Sequence, residues 1–408
     1  MPKLLQVSTS ANWGAIGRIA EQINVLAQDH AWETYFAYGR TIASSTSHTI
    51  KVGSMLDEYE HYAEYRLFDN DGLASRSATK FFIKEIERIK PDIIHLHNIH
   101  DHWLNYRLLF EYLRTIDMPV VWTLHDCWSF TGGCMHFTVL GCNRWREGCC
   151  GKGCPAKSGS VMRRLFDKTE KHYRLKKELL AGITNLTLVT VSYWLESVVR
   201  DSFLKNNRIV TIHNGLDINV FKPVNSKAIR SKFGINDSRY VLGVSHVWTS
   251  AKGWEDFLHL KKRLPKGVEL VLVGLDKEKL RVTNEVGIIG IPRTDNVEEL
   301  AAIYSGADVF LNLSREETLG MTTIEAMACG TPAIVYNETA VAEPVSIETG
   351  LVVETGDIDG LVEAIDRILK SGKDSYSEAC RAHVEKCFNK DDRYLDYLRL
   401  FQGLVKNE

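Results

Sequence analysis

The chain has 408 residues, 44% of them hydrophobic and 25% charged, with a formal net charge of −2. That length exceeds one ordinary domain and suits two of about 200 residues each, in a globular rather than disordered composition. Near-neutrality excludes a global attraction to nucleic acid, so affinity for an anionic surface has to come from a local patch.

The opening MPKLLQVSTSANWG has too short an apolar run for a secretory signal, and no stretch approaches the roughly eighteen apolar residues of a membrane span. A cytoplasmic location is the expectation. There, nine cysteines point to thiols or a metal site rather than to a disulfide scaffold.

Lys3 to Ser8 reads as a first buried strand, followed by Asn12-Trp13-Gly14-Ala15-Ile16-Gly17-Arg18 and an amphipathic helix from Ile19 to Gln28. Gly14 and Gly17 let backbone approach a ligand closely, and Arg18 is a candidate contact to an anion. The segment lacks G-x-G-x-x-G, and no acidic residue ends the second strand, which argues against a nicotinamide site. That second strand is Glu33 to Tyr38. A Ser/Thr-rich loop follows to residue 56, then mostly helix from Asp57 to Lys90 and a buried strand from Asp92 to His97. His95 and His97 share one strand face. With His100, Asp101 and His102 they form a cluster read as structural or acceptor-facing rather than metal-binding. Val120 to Leu124 is the next strand, and His125-Asp126 at its carboxyl end is placed to hydrogen-bond a sugar or steady a transition state.

Six of the nine cysteines then fall between Cys127 and Cys154. Cys134, Cys142, Cys149 and Cys154 are candidate thiolates for a structural, tetrahedral zinc, although no CxxC pair occurs; thiols packed in a loop are the alternative. Val161 to Glu178 carries seven Lys or Arg against three acidic residues. It reads either as a solvated helix face or as a patch for an anionic bilayer, with Arg163, Arg164, Lys176 and Lys177 as its charges. Strands from Leu186 to Ser192 and Arg208 to His213 lead to the glycine turn His213-Asn214-Gly215-Leu216-Asp217, a hinge by its residue types.

The second half restarts the α/β alternation with a strand from Tyr240 to Val247 and the loop Trp248 to Gly253. A lysine beside a glycine at a strand end, Lys252-Gly253, suits a diphosphate leaving group. Strands follow at Val268 to Val273, Val286 to Ile291, Asp308 to Leu313, Ala333 to Tyr336 and Leu351 to Glu354. After the third of these comes SREETLGMTTIEAMACGTP, where Glu317 lies on a loop with Gly320. Glu325 is placed in the first turn of the helix that Gly330 and Pro332 stop. In open α/β sheets, that is where ligands bind. The last helix runs from Asp391 to Val405.

Glu317 and Glu325, with seven residues between them, resemble the E-x7-E signature of retaining GT-B glycosyltransferases of family 4. The histidine run HLHNIHDHWLN and the pattern TGGC…C…W…GC…CP resemble the subgroup that builds bacterial surface polysaccharides such as colanic acid, capsule and O-antigen. The resemblance implies two Rossmann-like domains facing a cleft: 1–213 for the acceptor, with the cysteine-rich insertion 127–155, and 214–385 for the donor. Residues 386–408 would form a helix crossing back to the first. It further implies retaining, metal-independent transfer of a hexose from a UDP- or GDP-linked sugar to a hydroxyl, most readily on a lipid-linked oligosaccharide at the inner face of the cell membrane.

By that resemblance, Glu325 contacts the ribose and Glu317 the sugar, while the N–H groups at Gly320, Met321 and Thr322 face diphosphate and sugar. Lys252 matches the family's Lys-Gly, Arg293 edges the nucleobase pocket, and His125 reaches the donor sugar. The loop with Gly14, Gly17 and Arg18 lies near the donor phosphates. Two departures stand out: Thr318-Leu319 where a Phe often precedes the glycine, and His246 where an arginine is usual. A GT-B enzyme with a soluble acceptor and a non-catalytic relative are the alternatives.

Overall fold

A computed structural model describes residues 1–149, 153–157, 166–235 and 237–405. The chain divides into two compact units, Met1–Ile212 with Arg393–Glu408, and His213–Asp392.

The first unit is built on seven parallel strands: β1 (Lys3–Ser8), β2 (Glu33–Tyr38), β3 (His48–Lys51), β4 (Ile93–Leu96), β5 (Val120–Leu124), β6 (Leu186–Thr190) and β7 (Arg208–Thr211). Their order is β3-β2-β1-β4-β5-β6-β7. Strands β4, β5 and β6 are buried along their whole length, so they read as continuous apolar runs rather than alternating ones. The chain leaves β1 on one side for β2 and returns on the other for β4, with Leu4 opposite Ile93 and Gln6 opposite His95. The switch point therefore lies between β1 and β4. Leu4, Ile23, Ile93, Val121 and Val189 form one core together with Tyr394, Tyr397 and Phe401 of the terminal helix Lys390–Val405. Buried Thr123 donates to the Tyr397 hydroxyl at 3.1 Å, and Tyr394 donates to Gln22 at 2.9 Å.

The second unit holds six parallel strands: β8 (Arg239–Val244), β9 (Val268–Val273), β10 (Ile289–Ile291), β11 (Val309–Asn312), β12 (Ala333–Tyr336) and β13 (Gly350–Val353), in the order β10-β9-β8-β11-β12-β13. Its switch point falls between β8 and β11. Val241, Leu270, Leu272, Leu311, Phe257 and Ile365 lie in its core.

Four sequence expectations change. Strand β3 lies in the Ser/Thr stretch expected to be loop; it pairs with β2 at the sheet edge and is half exposed, so it carries no apolar signature. The strand expected from Val286 shrinks to Ile289–Ile291, because Gly287 at φ 71° ends the preceding helix, Lys277–Glu285, and the Ile288 N–H returns to Thr283 O at 2.9 Å. The first helix begins at Gly14 rather than Ile19, taking Gly17 and Arg18 into its opening turns.

The fourth concerns the basic stretch. Residues 161–165, with Arg163 and Arg164, lie outside the described residues, and the helix that follows is Thr169–Leu180. On it, Lys177 is exposed, but Lys176 is only 1% exposed, with its ammonium bonded to Trp128 O at 2.7 Å and Thr131 O at 3.2 Å. Lys176 also lies over the Trp128 ring, so it is a buried strut and not a membrane-facing charge. Burial outweighs the neighbouring carboxylates of Asp71 and Asp126 and lowers its pKa to about 7. No helix among the described residues is long and apolar enough to cross a membrane.

Candidate active site

In the second unit, the chain leaves β8 through a short turn, Ser250–Lys252, that ends at Gly253. Gly253 has φ 73°, and a Cβ there would meet Leu313 O at 2.6 Å. Gly253→Ala is therefore expected to lower stability by about 1–3 kcal/mol, read as a smaller urea midpoint at unchanged m; an unaltered midpoint would show that the turn relaxes freely. The turn delivers Lys252 to Glu317. Its Nζ lies 2.7 Å from Glu317 Oε1 and donates to Glu316 O at 3.2 Å.

The two side chains are 31% and 23% exposed, so the pair contributes only about 0–1 kcal/mol to stability. Its interest is its place. Lys252 follows β8, Glu317 follows β11, and these strands are neighbours at the switch point.

Glu317 is held by its backbone as well: its N–H donates to Thr339 Oγ1 at 3.1 Å, and its carbonyl accepts from Ala340 N–H at 3.3 Å. Arg315 fastens the same loop to the lysine turn. Its guanidinium donates to Ser250 O at 3.2 Å and pairs with Asp256 at 2.8 Å, while its N–H reaches Ala251 O at 2.8 Å. Sequence reasoning passed over Arg315; a cation opening the glutamate segment was the available signal.

The helix after Gly320 is Met321–Ala328, so Glu325 is its fifth residue and not part of the first turn, which holds no acidic side chain. The helix starts early because Gly320, at φ 81°, turns the chain directly into it without a side-chain cap. Its first N–H groups are those of Met321 and Thr322, which leaves backbone donors for an anion. Asn312 steadies that end by donating to Thr323 at 3.0 Å. Glu325 accepts from the Tyr304 hydroxyl at 2.9 Å. Burial, helped by the Glu325 charge, raises the Tyr304 pKa well above its ordinary value and keeps it a donor. Tyr304 was not singled out in the sequence, since a tyrosine inside the helix Val297–Gly306 reads as core.

His246 stands exposed after β8 and Arg293 exposed after β10, at the same end of the parallel sheet as Lys252 and Glu317. The glycine turn from His213 is tied down locally: His213 Nε2 lies 2.7 Å from Glu343, and the Leu216 N–H donates to Phe388 O at 2.7 Å.

In the first unit, Gly14 and Arg18 are exposed, while Gly17 is buried against the Ser10 carbonyl, where a Cβ would come within 2.6 Å. His125 leaves β5 partly exposed and stacks on His97, Nε2 to Nδ1 at 3.0 Å; His97 Nε2 lies 2.9 Å from Gln6 Oε1. With Gln6 accepting, His97 accepts in turn from His125, leaving His125 Nδ1 as a hydrogen-bond acceptor. Burial lowers the His125 pKa to about 4, so the ring is neutral near pH 7.

His100 is the opposite case. Burial pulls its pKa down, but Asp126 at 2.9 Å and Asp101 at 3.2 Å outweigh it and raise it to about 10, making a fixed imidazolium between two carboxylates. Asp101 and His102 follow at φ 73° and 65°, consecutive left-handed conformations rare outside glycine. His95 is buried and bonded to Thr123 at 2.8 Å, a core role. Among the described residues, no group of three or more His, Cys, Asp or Glu side chains stands assembled to hold a metal ion, and the described cysteines, including Cys134, Cys142, Cys149 and Cys154, form no disulfide.

Comparison with known proteins fits this geometry. Residues 19–220 match the model of Glycosyltransferase Family 4, and residues 225–385 match Glycosyl transferases group 1. The chain belongs to the GT-B glycosyltransferases of group 1 and family 4. Among members with curated descriptions, N-acetyl-alpha-D-glucosaminyl L-malate synthase of Bacillus anthracis is 26% identical over 56% of this chain, which spans 62% of that enzyme's length. A protein of Escherichia coli K12, provisionally named colanic acid biosynthesis glycosyl transferase WcaC, is 23% identical over 88% of this chain and 89% of its own.

GT-B neighbours among solved structures include sucrose-phosphate synthase of Thermosynechococcus elongatus, with TM-score 0.73 and 19% identity over 100% of both chains. HepE of Anabaena in complex with UDP-glucose has TM-score 0.63 and 15% identity over 98% of this chain and 99% of its own. At these identities the structural likeness speaks for the fold alone.

Proposed function

We propose that this glycosyltransferase moves a hexose, with retention at the anomeric carbon, from a UDP- or GDP-linked sugar to a hydroxyl of a lipid-linked oligosaccharide in bacterial surface-polysaccharide synthesis. The observation that carries the reading is the Lys252–Glu317 pair on adjacent strands at the switch point, one loop ahead of Glu325. In this reading Lys252 and the N–H groups of Met321 and Thr322 take the diphosphate, Glu317 the hexose hydroxyls and Glu325 the ribose. His246 and Arg293 border the nucleotide; for Gly14, Gly17, Arg18 and His125, all in the first unit, a donor contact is carried by the family resemblance alone.

As the bond from the anomeric carbon to the diphosphate breaks, the bond to the acceptor oxygen forms, and the hydroxyl proton passes to the departing diphosphate. Charge on that group is met by Lys252 and by helix N–H groups, so no step is assigned to a divalent cation. The polysaccharide context is supported by the relative named for colanic acid synthesis, and a nucleotide-sugar donor by the glycosyltransferase family models that match both halves of the chain. Contact with an anionic membrane surface, which a lipid-linked acceptor calls for, rests on the exposed Lys171 and Lys177.

The test is binding and turnover across UDP-, GDP- and ADP-sugars, with Glu325→Ala alongside the unaltered chain. One donor class is expected to show saturable turnover that the variant loses, and NMR of the product to show the donor's anomeric configuration. Inverted product would overturn retention, transfer to a soluble sugar phosphate would replace the lipid-linked acceptor, and absence of binding to every donor would remove the reading.

A further inference from the structure

The insertion after β5 contains three single-turn helices, Trp128–Phe130, Arg144–Arg146 and Pro155–Lys157, and no strand among its described residues. Its apolar content is small: Trp145 packs on Phe130 and Phe137, with ring centroids 5.4 and 4.9 Å apart. A segment of this kind orders only when something ties it together. The sequence spacing C-x7-C-x6-C-x4-C of Cys134, Cys142, Cys149 and Cys154 brings all four to one place, since each borders a single cavity of about 20 Å³. That volume takes one small occupant. Cys134, Cys142, Cys149 and Cys154 interact electrostatically with one another across it. A backbone donor already points at one sulfur: the Gly132 N–H reaches Cys149 Sγ at 3.2 Å.

We propose that Cys134, Cys142, Cys149 and Cys154 bind one Zn2+ as a closed, structural four-thiolate site. In this structure the four are neighbouring thiols rather than an assembled ligand set. Binding has each thiol release its proton to solvent and turn its sulfur inward to about 2.3 Å from the ion. Four thiolates exclude a bound water, so the ion takes no part in sugar transfer. The Gly132 N–H keeps an outer lone pair of Cys149 occupied, as thiolate sites require, and Arg144 on the cavity wall meets part of the remaining negative charge.

The site stands next to the chain that carries His125 and Asp126. Thr131 Oγ1 donates to Cys134 O at 2.7 Å, Lys176 bridges Trp128 O and Thr131 O, and the Trp128 N–H reaches Asp126 Oδ1 at 2.8 Å. Fixing Cys134 therefore fixes the loop that begins at His125.

The test uses the whole chain, expressed with zinc in the medium and purified under reducing conditions. Elemental analysis is expected to find one zinc per chain, released when a mercurial reagent takes the thiols. After chelation, Co2+ should restore one equivalent, with sulfur-to-cobalt charge-transfer and tetrahedral d–d absorption. Cys142→Ser and Cys149→Ser should each weaken binding by more than the roughly 100-fold that follows loss of an outer hydrogen-bonding partner, whereas Cys387→Ser, in the other unit, should leave it unchanged. Where a serine variant fails to fold, the cobalt titration of the unaltered chain decides. Chain without bound metal and with every thiol titratable, or a Cys134–Cys154 disulfide in mass spectra of the folded protein, would overturn the proposal; iron in place of zinc would overturn the choice of ion.

Discussion

Lys252→Ala is expected to lower kcat/KM about 10²–10³-fold, equivalent to about 2.7–4 kcal/mol of transition-state stabilisation, while leaving the thermal midpoint nearly unchanged. The two halves of that expectation come from the same geometry. The ammonium is 31% exposed and its carboxylate partner 23%, so its removal takes away a solvated ion pair worth about 0–1 kcal/mol to the fold. In the proposed reaction the same ammonium would meet the charge that develops on the diphosphate, on a turn pinned by Gly253 and by the Arg315 contacts to Ser250 O and Ala251 O. Lys252→Arg keeps the charge but presents a planar fork in place of a point charge, and should recover only part of the loss. Steady-state kinetics with calorimetry on the same samples separates the effects. Unchanged kcat/KM in the alanine variant would remove Lys252 from the chemistry.

Acidification from pH 7 to 5 is expected to lower the urea midpoint at constant m, because six histidines of the first unit resist protonation in the folded state, His61, His95, His97 and His125 more strongly than His102 and His172. Burial lowers the pKa of His61 and His125 to about 4 and holds those of His95 and His97 well below the ordinary 6.5. Between pH 6.5 and these folded values the unfolded chain binds more protons, so stability falls with falling pH, by at most about 1.4 kcal/mol per unit for an independent histidine and by less for the mutually coupled His95, His97 and His125. His100 works the other way: raised to about 10, it contributes stability that is complete below 6.5 and disappears as pH climbs to about 10. Asp71 and Asp126 have lowered pKa values and act only below the ordinary carboxylate range, outside the window. Denaturant titrations at pH 7, 6 and 5 measure this slope; a flat midpoint would mean that these rings accept protons without disturbing the fold.

The doubly wound pattern was legible in the sequence wherever burial is complete. Val120–Leu124, Val268–Val273 and Ala333–Tyr336 have the bounds that their apolar runs predict. The half-exposed edge strand His48–Lys51 has no such run and was read as loop. Lys176 shows why charge counts mislead: seven cations between Val161 and Glu178 look like a solvated face, yet the 3.6-residue period turns one inward, where carbonyls and a tryptophan ring receive it. At the candidate site, the motif residues could be named but not their partners. Lys252 and Glu317 are 65 positions apart, His97 and Gln6 91 apart; only a strand order in which β8 skips β9 and β10 to lie beside β11, and β1 skips to β4, makes neighbours of them. Helix onset was also beyond composition, because it depends on the left-handed turn at Gly320 rather than on the residues after it.

The ion pair between Lys252 and Glu317 has a consequence for discrimination among anions. A carboxylate already docked on the ammonium is a resident competitor at the highest local concentration the chain can arrange, so an incoming anion must exchange with it rather than simply arrive. Inorganic phosphate can take the lysine but offers the displaced glutamate few hydrogen-bond donors in return. A ligand that joins a diphosphate to a ring of hydroxyls takes the lysine with one end and gives the glutamate hydrogen-bond donors with the other, so neither charge is left bare. Because the pair is worth only about 0–1 kcal/mol, the bias it sets against free phosphate at the proposed donor site is at most about fivefold.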